Sequence, residues 1–281
     1  MGMAFKKVLE EKKSPETMAT ELFDLGTLSA NKASAQHRDS NLFHVSSAGY
    51  CMRSVAWDRE HGKLQELSFL RKVNLGTSIH ELYQEFLAHS GKLFGMYYCK
   101  ECKGTFGPQY ASTCEVCGGK KLMQYSEVHL INHELKISGH PDGFMNLGGK
   151  IKLIEIKTIT GYAKIGDGPE RVDAYAPEHK HQVNLYLKIL QHPATMFLNA
   201  DKAVFLANLD FSEYLMMYHD KGSDKMIPYA FRYDNDMATK DLARIKSYHE
   251  CVAAKQTPPA EPMMRKCKFC NYVSQCSGLV D

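Results

Sequence analysis

The chain has 281 residues, of which 44% are hydrophobic and 24% charged, so it can bury a substantial core in one large domain or two small ones. A net charge of +3 permits a nucleic-acid partner without indicating one, because a local basic groove matters more than the total charge. We find no low-complexity tract, no apolar stretch of membrane-spanning length and no secretory signal, and therefore expect a cytoplasmic protein without a membrane partner.

The N-terminal third of the sequence predicts mainly helices. A helical lead-in covers residues 1–45 and contains a polar loop at 29–40. A second helix lies around 46–60, and apolar residues at helical spacing predict an amphipathic helix over about 68–90 that Gly91 ends.

The remainder of the sequence predicts strands between further helices. Alternating side chains indicate strands near 125–131, 134–147 and 151–158, a helix near 178–191, strands near 201–209 and 226–233, and a helix near 236–255. Gly148-Gly149 marks a turn. The predicted fold is therefore an α/β domain with a mixed central sheet flanked by helices. Its predicted parts are an N-terminal helical region (1–96), a cysteine-rich insertion (97–122), a core (123–257) and a cysteine-rich tail (258–281).

One predicted strand carries a candidate metal-dependent catalytic centre. Side chains alternate along a strand, so Glu155 and Lys157 share one face while Ile154 and Ile156 share the other. Asp142 lies 13 residues before Glu155, a spacing that lets one hairpin place the two carboxylates together. Two carboxylates suit Mg²⁺ or Mn²⁺, and a neighbouring lysine can offset charge on a phosphoryl transition state. The alternative is an ordinary surface strand, because Glu-x-Lys triplets are frequent.

Three further side chains fit the same centre. His80 lies beside the apolar stripe of its helix, where it can act as another metal ligand at the edge of the cleft. Gln182 and Tyr186 are four residues apart and so share one face of a helix. The alternatives are a structural histidine, a solvated glutamine and a half-buried tyrosine.

The order of these motifs resembles the RecB-type branch of the PD-(D/E)xK nucleases. The matching residues are Gly76 with His80, Gly139 with Asp142, Glu155 with Lys157, and Gln182 with Tyr186. The resemblance implies a restriction-endonuclease-like fold and a DNA exonuclease acting on single strands or ends. It also implies that the Mg²⁺ or Mn²⁺ ligands are His80, Asp142, Glu155 and the carbonyl of Ile156. Lys157 is then catalytic, and Gln182 and Tyr186 shape the site and contact DNA.

Cysteines at the two ends of the chain extend this resemblance. Cys51, followed far downstream by Cys267, Cys270 and Cys276, resembles the iron–sulfur RecB-like nucleases, including the CRISPR-adaptation nucleases and their phage relatives. The resemblance implies a structural [4Fe–4S] cluster that ties the chain ends together. Zinc on the same four thiolates is the alternative. Cys251 is left over and is expected to be a small hydrophobic side chain in a helix.

A second cysteine group lies within the insertion. Cys99, Cys102, Cys114 and Cys117 form two Cys-x₂-Cys pairs separated by 11 residues, a pattern typical of a zinc ribbon or knuckle. The insertion falls between His80 and Asp142, so we expect it to protrude beside the catalytic cleft. Nearby aromatic and basic side chains suit phosphates and stacked bases, or else only cover the metal; they are Tyr97, Tyr98, Lys100, Lys103, Phe106, Tyr110, Lys120 and Lys121.

Three functions fit these features. The sequence favours a DNA nuclease, in a bacterial or phage-infected cell. A second interpretation is a DNA-binding or assembly protein that keeps the fold without cleavage, although Asp142, Glu155 and Lys157 are all intact. A third is a subunit that trims DNA within a CRISPR-adaptation complex. Dimeric or ring-forming assembly leaves no mark in the sequence and stays open.

Overall fold

The computed structural model describes residues 14–35, 41–62, 66–110, 113–114, 116–119, 123–159, 176–261, 267–268 and 270–276. Within these ranges the protein is a mixed α/β structure, in which helices flank a central mixed sheet as predicted. None of the described helices is both long and apolar enough to cross a membrane.

The helices agree with most of the predictions. They are α1 (Pro15–Ala35), a 3₁₀ turn (Val45–Ser47), α2 (Met52–His61), α3 (Leu67–His89), α4 (Glu178–Leu190), α5 (Lys202–Leu206) and α6 (Asn235–Ala253). The predicted loop at 29–40 is wrong for its first part, because α1 continues to Ala35. Alanine recurs over this stretch and is the strongest helix former. Residues 36–40 lie outside the described ranges.

The strands fall into two sheets. They are β1 (Phe43–His44), β2 (Leu93–Cys99), β3 (Thr105–Tyr110), β4 (Met123–Ser126), β5 (Leu130–Asn132), β6 (Ile137–Gly139), β7 (Gly143–Leu147), β8 (Lys150–Ile159), β9 (Met196–Phe197), β10 (Glu213–Asp220) and β11 (Lys225–Arg232). The large sheet has the order β11-β10-β8-β7-β2-β3, with β4 also paired to β2. The small sheet has the order β1-β6-β5-β9.

The β7–β8 hairpin positions the predicted catalytic carboxylates. The strands are antiparallel, with Gly143 opposite Ile154, so Asp142, immediately before β7, comes beside Glu155. Gly148 and Gly149 form the turn, with φ of +63° and +86°, a conformation that glycine adopts without steric cost. On the other side of β8, β10 runs parallel, and α4 lies in the connection between these two strands.

The predicted strand at 134–147 is divided between the two sheets. Its first part becomes β6 in the small sheet and its second part becomes β7 in the large sheet. His140 and Pro141 separate the two strands, and Pro141 has no N–H to donate to a continuous ladder.

Two further predictions in the C-terminal half need correction. The predicted strand at 201–209 is wrong, because α5 occupies most of it and Asp201 caps the helix by accepting hydrogen bonds from the N–H groups of Ala203 and Val204. Strand β10 is a second difference, because no strand is predicted at residues 213–220. This strand is buried on both faces over most of its length, so it lacks the alternating pattern that identifies a half-buried strand.

The predicted insertion is joined to the large sheet. β2 begins in that sheet, where Leu93 and Phe94 pair with β7, and continues to Cys99, while β3 and β4 pair with β2 on either side. The cysteine-bearing turns are therefore extensions of sheet strands. The faces of β8 pack as predicted: Ile154 and Ile156 are fully buried in a cluster with Leu93 and Tyr97.

Candidate active site and metal centres

Strand β8 and helix α4 bring Glu155, Lys157 and Gln182 into one hydrogen-bonded group. The Lys157 Nζ donates to Glu155 Oε1 at 2.7 Å and to Gln182 Oε1 at 2.8 Å. The Gln182 Nε2 in turn donates to Glu155 Oε1 at 2.6 Å. The predicted proximity of these three side chains is confirmed, and each one fixes the rotamers of the other two.

Asp142 and His80 complete the group. Asp142 Oδ2 accepts a hydrogen bond of 2.7 Å from the Ile156 N–H, which locks the carboxylate against β8. The His80 Nδ1, from α3, lies 3.5 Å from the same oxygen. The Ile156 side chain is fully buried in the core, so this residue can contribute only main-chain atoms to the site.

One carboxylate oxygen in this centre lacks a partner. Glu155 is 1% exposed, and within the described part of the chain its Oε2 has no hydrogen-bond partner. A buried carboxylate oxygen without a partner is costly, and a cation would compensate it. The donor set of carboxylate oxygens and an imidazole therefore fits a hard divalent ion.

The charges of the site shift the pKa values of its members in one consistent way. Burial, and then the neighbouring Asp142 carboxylate, raise the pKa of Glu155 to about 7 despite the opposing effect of Lys157. Burial alone would lower the pKa of Lys157 and of His80, but Glu155 and Asp142 outweigh it and raise both. The centre thus has excess negative charge, which holds Lys157 in its protonated form.

Two residues of this centre were missed by the sequence analysis. The Gln84 Nε2 donates to Glu127 Oε1 and to the carbonyl oxygen of Asp142, both at 2.8 Å. Burial, and then Asp142, raise the pKa of Glu127 to about 7. Gln84 lies four residues after His80 on α3, so helical spacing can identify it. Glu127 lies between β4 and β5, where no periodic pattern indicates its position.

Tyr186 occupies a structural position next to the centre. Its ring is 2% exposed, and its hydroxyl donates to the carbonyl oxygen of His140 at 2.8 Å, two residues before Asp142. A Cβ on Gly139 would lie 2.6 Å from Tyr186 Cε1, so this motif glycine permits the close contact. A ring buried in this way cannot make the DNA contact that the resemblance implies.

The four insertion cysteines form a compact group. Cys99 Sγ lies 3.7 Å from Cys117 Sγ, and Cys102 Sγ lies 3.6 Å from Cys114 Sγ. Among the described residues, this is the place where the ligand atoms of three or more His, Cys, Asp or Glu side chains all lie within 4.8 Å of one another. The group can therefore bind a metal ion.

The two cysteine pairs have the same backbone geometry. The Cys99 N–H donates to the Gly104 carbonyl, and the Cys114 N–H donates to the Gly119 carbonyl. The residue four positions after each of these cysteines has a left-handed conformation, Lys103 with φ of +61° and Gly118 with φ of +70°. Two equivalent turns thus present both pairs of thiols to one point.

Aromatic residues near the insertion are mostly used for packing. Tyr97 is fully buried and donates from its hydroxyl to the Leu93 carbonyl, so the prediction that it can stack on a base is wrong. The half-buried Tyr110 accepts a hydrogen bond from Asn146 Nδ2. Of the other side chains predicted to contact nucleic acid, Tyr98 and Phe106 are half-buried, whereas Lys100 and Lys103 are exposed. Lys120 and Lys121 lie outside the described residues.

The other predicted cysteine group consists of four half-buried thiols, Cys51, Cys267, Cys270 and Cys276. Burial raises the pKa of the Cys270 thiol, and the nearby thiols of Cys267, Cys51 and Cys276 raise it further, against a lowering hydrogen bond from the main chain at Tyr272. Among the described residues, no three of these four sulfurs all lie within 4.8 Å of one another, as those of the insertion do. Cys251, in α6, is half-buried.

Comparisons with known proteins give a fold neighbour. No family model matches the sequence, and no curated protein matches it. Among solved structures, the crystal structure of SSO0001 aligns with 94% of this chain and 98% of its own, with a TM-score of 0.51 and 19% sequence identity. At this identity the likeness shows a shared fold over nearly the whole of both chains.

Proposed function

We propose that the protein is a metal-dependent deoxyribonuclease with a restriction-endonuclease-like fold, which hydrolyses phosphodiester bonds at Glu155 and Lys157. The observation that carries this proposal is the buried, unpartnered Glu155 Oε2 beside a protonated lysine and a second carboxylate. An exonuclease that acts on single strands or ends follows from the resemblance of its motifs to RecB-type nucleases.

The cation would be held by His80, Asp142, Glu155 and the carbonyl of Ile156. When bound, Mg²⁺ or Mn²⁺ supplies Lewis-acid polarisation of a phosphoryl oxygen. The ligand atoms of these side chains do not yet all lie within 4.8 Å of one another.

Lys157 is suited to stabilise the phosphoryl group. Within the described residues, Glu155 and Gln182 accept two of the three N–H bonds of its ammonium, which leaves the third for a phosphate oxygen. The ammonium then offsets charge that develops as the attacking water oxygen bonds to phosphorus and the bond to the leaving oxygen breaks. The hydrogen bond to Gln182 keeps the ammonium oriented toward the phosphate while charge develops on the phosphoryl oxygens.

We assign zinc to the four insertion cysteines. We assign a [4Fe–4S] cluster to Cys51 and the three C-terminal cysteines, Cys267, Cys270 and Cys276, which are together called the tail cysteines. Tetrahedral zinc with Zn–S bonds of about 2.3 Å places its sulfurs about 3.8 Å apart, close to the spacing of the insertion thiols. In a [4Fe–4S] cluster each thiolate binds a different iron, so the sulfurs are spaced more widely. The resemblance of Cys51, Cys267, Cys270 and Cys276 to the cysteines of iron–sulfur RecB-like nucleases supports the cluster.

The nuclease proposal is tested by DNA degradation with Lys157→Ala. Purified protein is incubated with labelled single- or double-stranded DNA and Mn²⁺ or Mg²⁺, beside Lys157→Ala and the control Lys246→Ala, whose side chain is 81% exposed. We expect wild type and the control to degrade DNA, and Lys157→Ala to be slower on the order of 10²-fold.

Two results would contradict the assignment. If wild type degrades neither DNA, or if Lys157→Ala degrades it as fast as wild type, the active site is not at Lys157. Binding of DNA without degradation would favour the non-cleaving alternative.

A further inference from the structure

The segment around Cys51, residues 48–52, is fixed by hydrogen bonds to its main chain. Arg244 Nη1 donates to the Ala48 carbonyl at 3.0 Å, and Arg244 Nη2 donates to the Tyr50 carbonyl at 2.9 Å. The Met52 N–H donates to Glu261 Oε2 at 2.9 Å. Three hydrogen bonds from side chains about 200 residues away therefore fix the main chain of residues 48–52.

The groups that hold this segment are themselves rigid. The Arg244 guanidinium donates to both carboxylate oxygens of Glu261 at 2.7 Å and to Asp241 Oδ1 at 2.8 Å. Asp241 is 1% exposed and also lies 2.7 Å from His181 Nδ1 on α4. Forked, charge-assisted contacts of this kind fix geometry as well as contributing energy. We call Asp241, Arg244 and Glu261 the Arg244 clamp.

The same segment contains Cys51, a member of the predicted iron–sulfur group, and packs against α4, the helix that carries Gln182. The Glu261 N–H donates to Cys51 Sγ at 3.4 Å. A Cβ on Gly49 would lie 2.3 Å from Glu178 Cβ, so only glycine lets the chain pass this close to the first turn of α4. Since α4 carries Gln182, the position of Tyr50 is set relative to the catalytic group.

Tyr50 differs from its anchored main chain because its side chain reaches solvent. The residue is 45% exposed, although its carbonyl is held by the Arg244 clamp. Its neighbour Gly49 lies against Glu178, one helical turn before Gln182, and the Gln182 Oε1 accepts a hydrogen bond of 2.8 Å from Lys157. An exposed ring on immobile main chain beside a phosphate-binding group is the arrangement found in stacking surfaces for single strands.

We propose that Tyr50 is a single-strand contact residue, whose ring stacks on a base of the strand that is bound at Lys157. The Arg244 clamp holds the main chain that carries this ring. This inference rests on the proposed nuclease function, and it adds a binding residue that the nuclease motifs do not include. It also favours unpaired bases as the substrate, since a base inside a duplex does not offer its face to a side chain.

The test is the affinity for a fluorescent single-stranded oligonucleotide, measured by anisotropy with Ca²⁺ in place of Mg²⁺ to prevent degradation. We compare wild type with Tyr50→Ala, Tyr50→Leu and Tyr50→Phe, and use Phe69→Ala as the control because Phe69 is also an exposed ring, 46% accessible, near the start of α3. We expect Kd to rise about tenfold for Tyr50→Ala and Tyr50→Leu, and to stay within about twofold for Tyr50→Phe and Phe69→Ala.

The readout separates this inference from the nuclease proposal. If Tyr50→Ala and Tyr50→Leu bind like wild type, or if Tyr50→Phe loses as much affinity as Tyr50→Ala, stacking by Tyr50 is refuted even when wild type cleaves DNA. Wild type that fails to bind the oligonucleotide also refutes it. Wild type that binds but never cleaves overturns the nuclease proposal, while the Tyr50 variants still decide the contact.

Discussion

Three carboxylates lie close together in the centre of this protein: Asp142, Glu127 and Glu155. The Lys157 ammonium balances only part of their charge, and the pKa values of Glu127 and Glu155 are raised to about 7 as a result of burial and of Asp142. Like charges buried together cost stability and are typical of functional sites, which supports the cation proposed at Glu155. Glu127 belongs to this balance although it lies outside the nuclease motifs.

We predict that Glu127→Gln removes a pH-dependent loss of stability. The pKa of Glu127 is about 7 when folded against 4.5 when unfolded, so the folded chain binds more protons between these values. Its contribution to stability is therefore lost as pH rises from 4.5 to 7. The free energy of unfolding is measured with urea, without added Mg²⁺ or Mn²⁺. The advantage of the variant over wild type should grow by roughly 1–3 kcal/mol from pH 5 to pH 8.

The control for this experiment is Glu134→Gln, because the Glu134 side chain is 70% exposed. Its unfolding free energy should follow that of wild type at both pH values. Parallel curves for Glu127→Gln and wild type would contradict the placement of Glu127 beside Asp142. Added Mn²⁺ should stabilise wild type at pH 8 more than it stabilises Glu127→Gln.

At the scale of elements, regular patterns were predictable where one face of a strand or helix is buried. The period-2 pattern of β8 placed Glu155 and Lys157 on one face, and four-residue spacing placed Gln182 and Tyr186 on one side of α4. Strand β10 escaped prediction because it is buried on both faces, between β8 and β11. The division of residues 134–147 into β6 and β7 depends on which sheet offers each half a partner.

The metal site of the insertion and the fold of β2 should depend on different residues. We expect Cys102→Ser and Cys117→Ser to lower zinc content from about one ion per chain toward none, since a four-thiolate site needs all its ligands. Far-UV circular dichroism should stay close to that of wild type, because Leu93 and Tyr97 anchor β2 in the core independently of the metal. Metal analysis and circular dichroism measure both effects.

Cys251→Ser is the matched control, because this half-buried thiol belongs to neither cysteine group. It should keep both zinc and iron. Unchanged zinc in the Cys102 and Cys117 variants would refute the zinc assignment, and loss of iron in those variants would show that the two cysteine groups are not independent.

At the scale of the whole molecule, the Arg244 clamp joins parts of the chain that are about 200 residues apart. Glu261 accepts the Met52 N–H, and its own N–H donates to Cys51 Sγ, a separation of 210 residues. Nearby, Arg53 donates from Nε to the Pro258 carbonyl and from Nη1 to Cys276 Sγ. These polar contacts thus join the same two regions of the chain, around Cys51 and around the C-terminal cysteines, that the proposed cluster would join.

We expect Glu261→Gln to destabilise the protein by about 1.5–3 kcal/mol, the range for hydrogen bonds to charged groups. Burial alone would raise the pKa of Glu261, yet Arg244 outweighs this and lowers it, which indicates that the charged form is favoured. Urea unfolding at pH 7 measures the loss. Glu250→Gln, whose side chain is 65% exposed, should change stability by less than about 0.5 kcal/mol. Equal effects of the two variants would refute a structural role for the clamp.

The sequence by itself determined the α/β class, the hairpin that joins Asp142 to Glu155, and the two groups of cysteines. Each of these depends on short-range spacing, which a strand, a helix or a tight turn converts directly into geometry. Only the tertiary structure decided that Glu127 and Gln84 join the centre, that Tyr97 and Tyr186 are buried, and that the Tyr50 main chain is held by Arg244. These positions depend on contacts between segments far apart in sequence, where side-chain packing and charge balance, rather than local periodicity, select the neighbours.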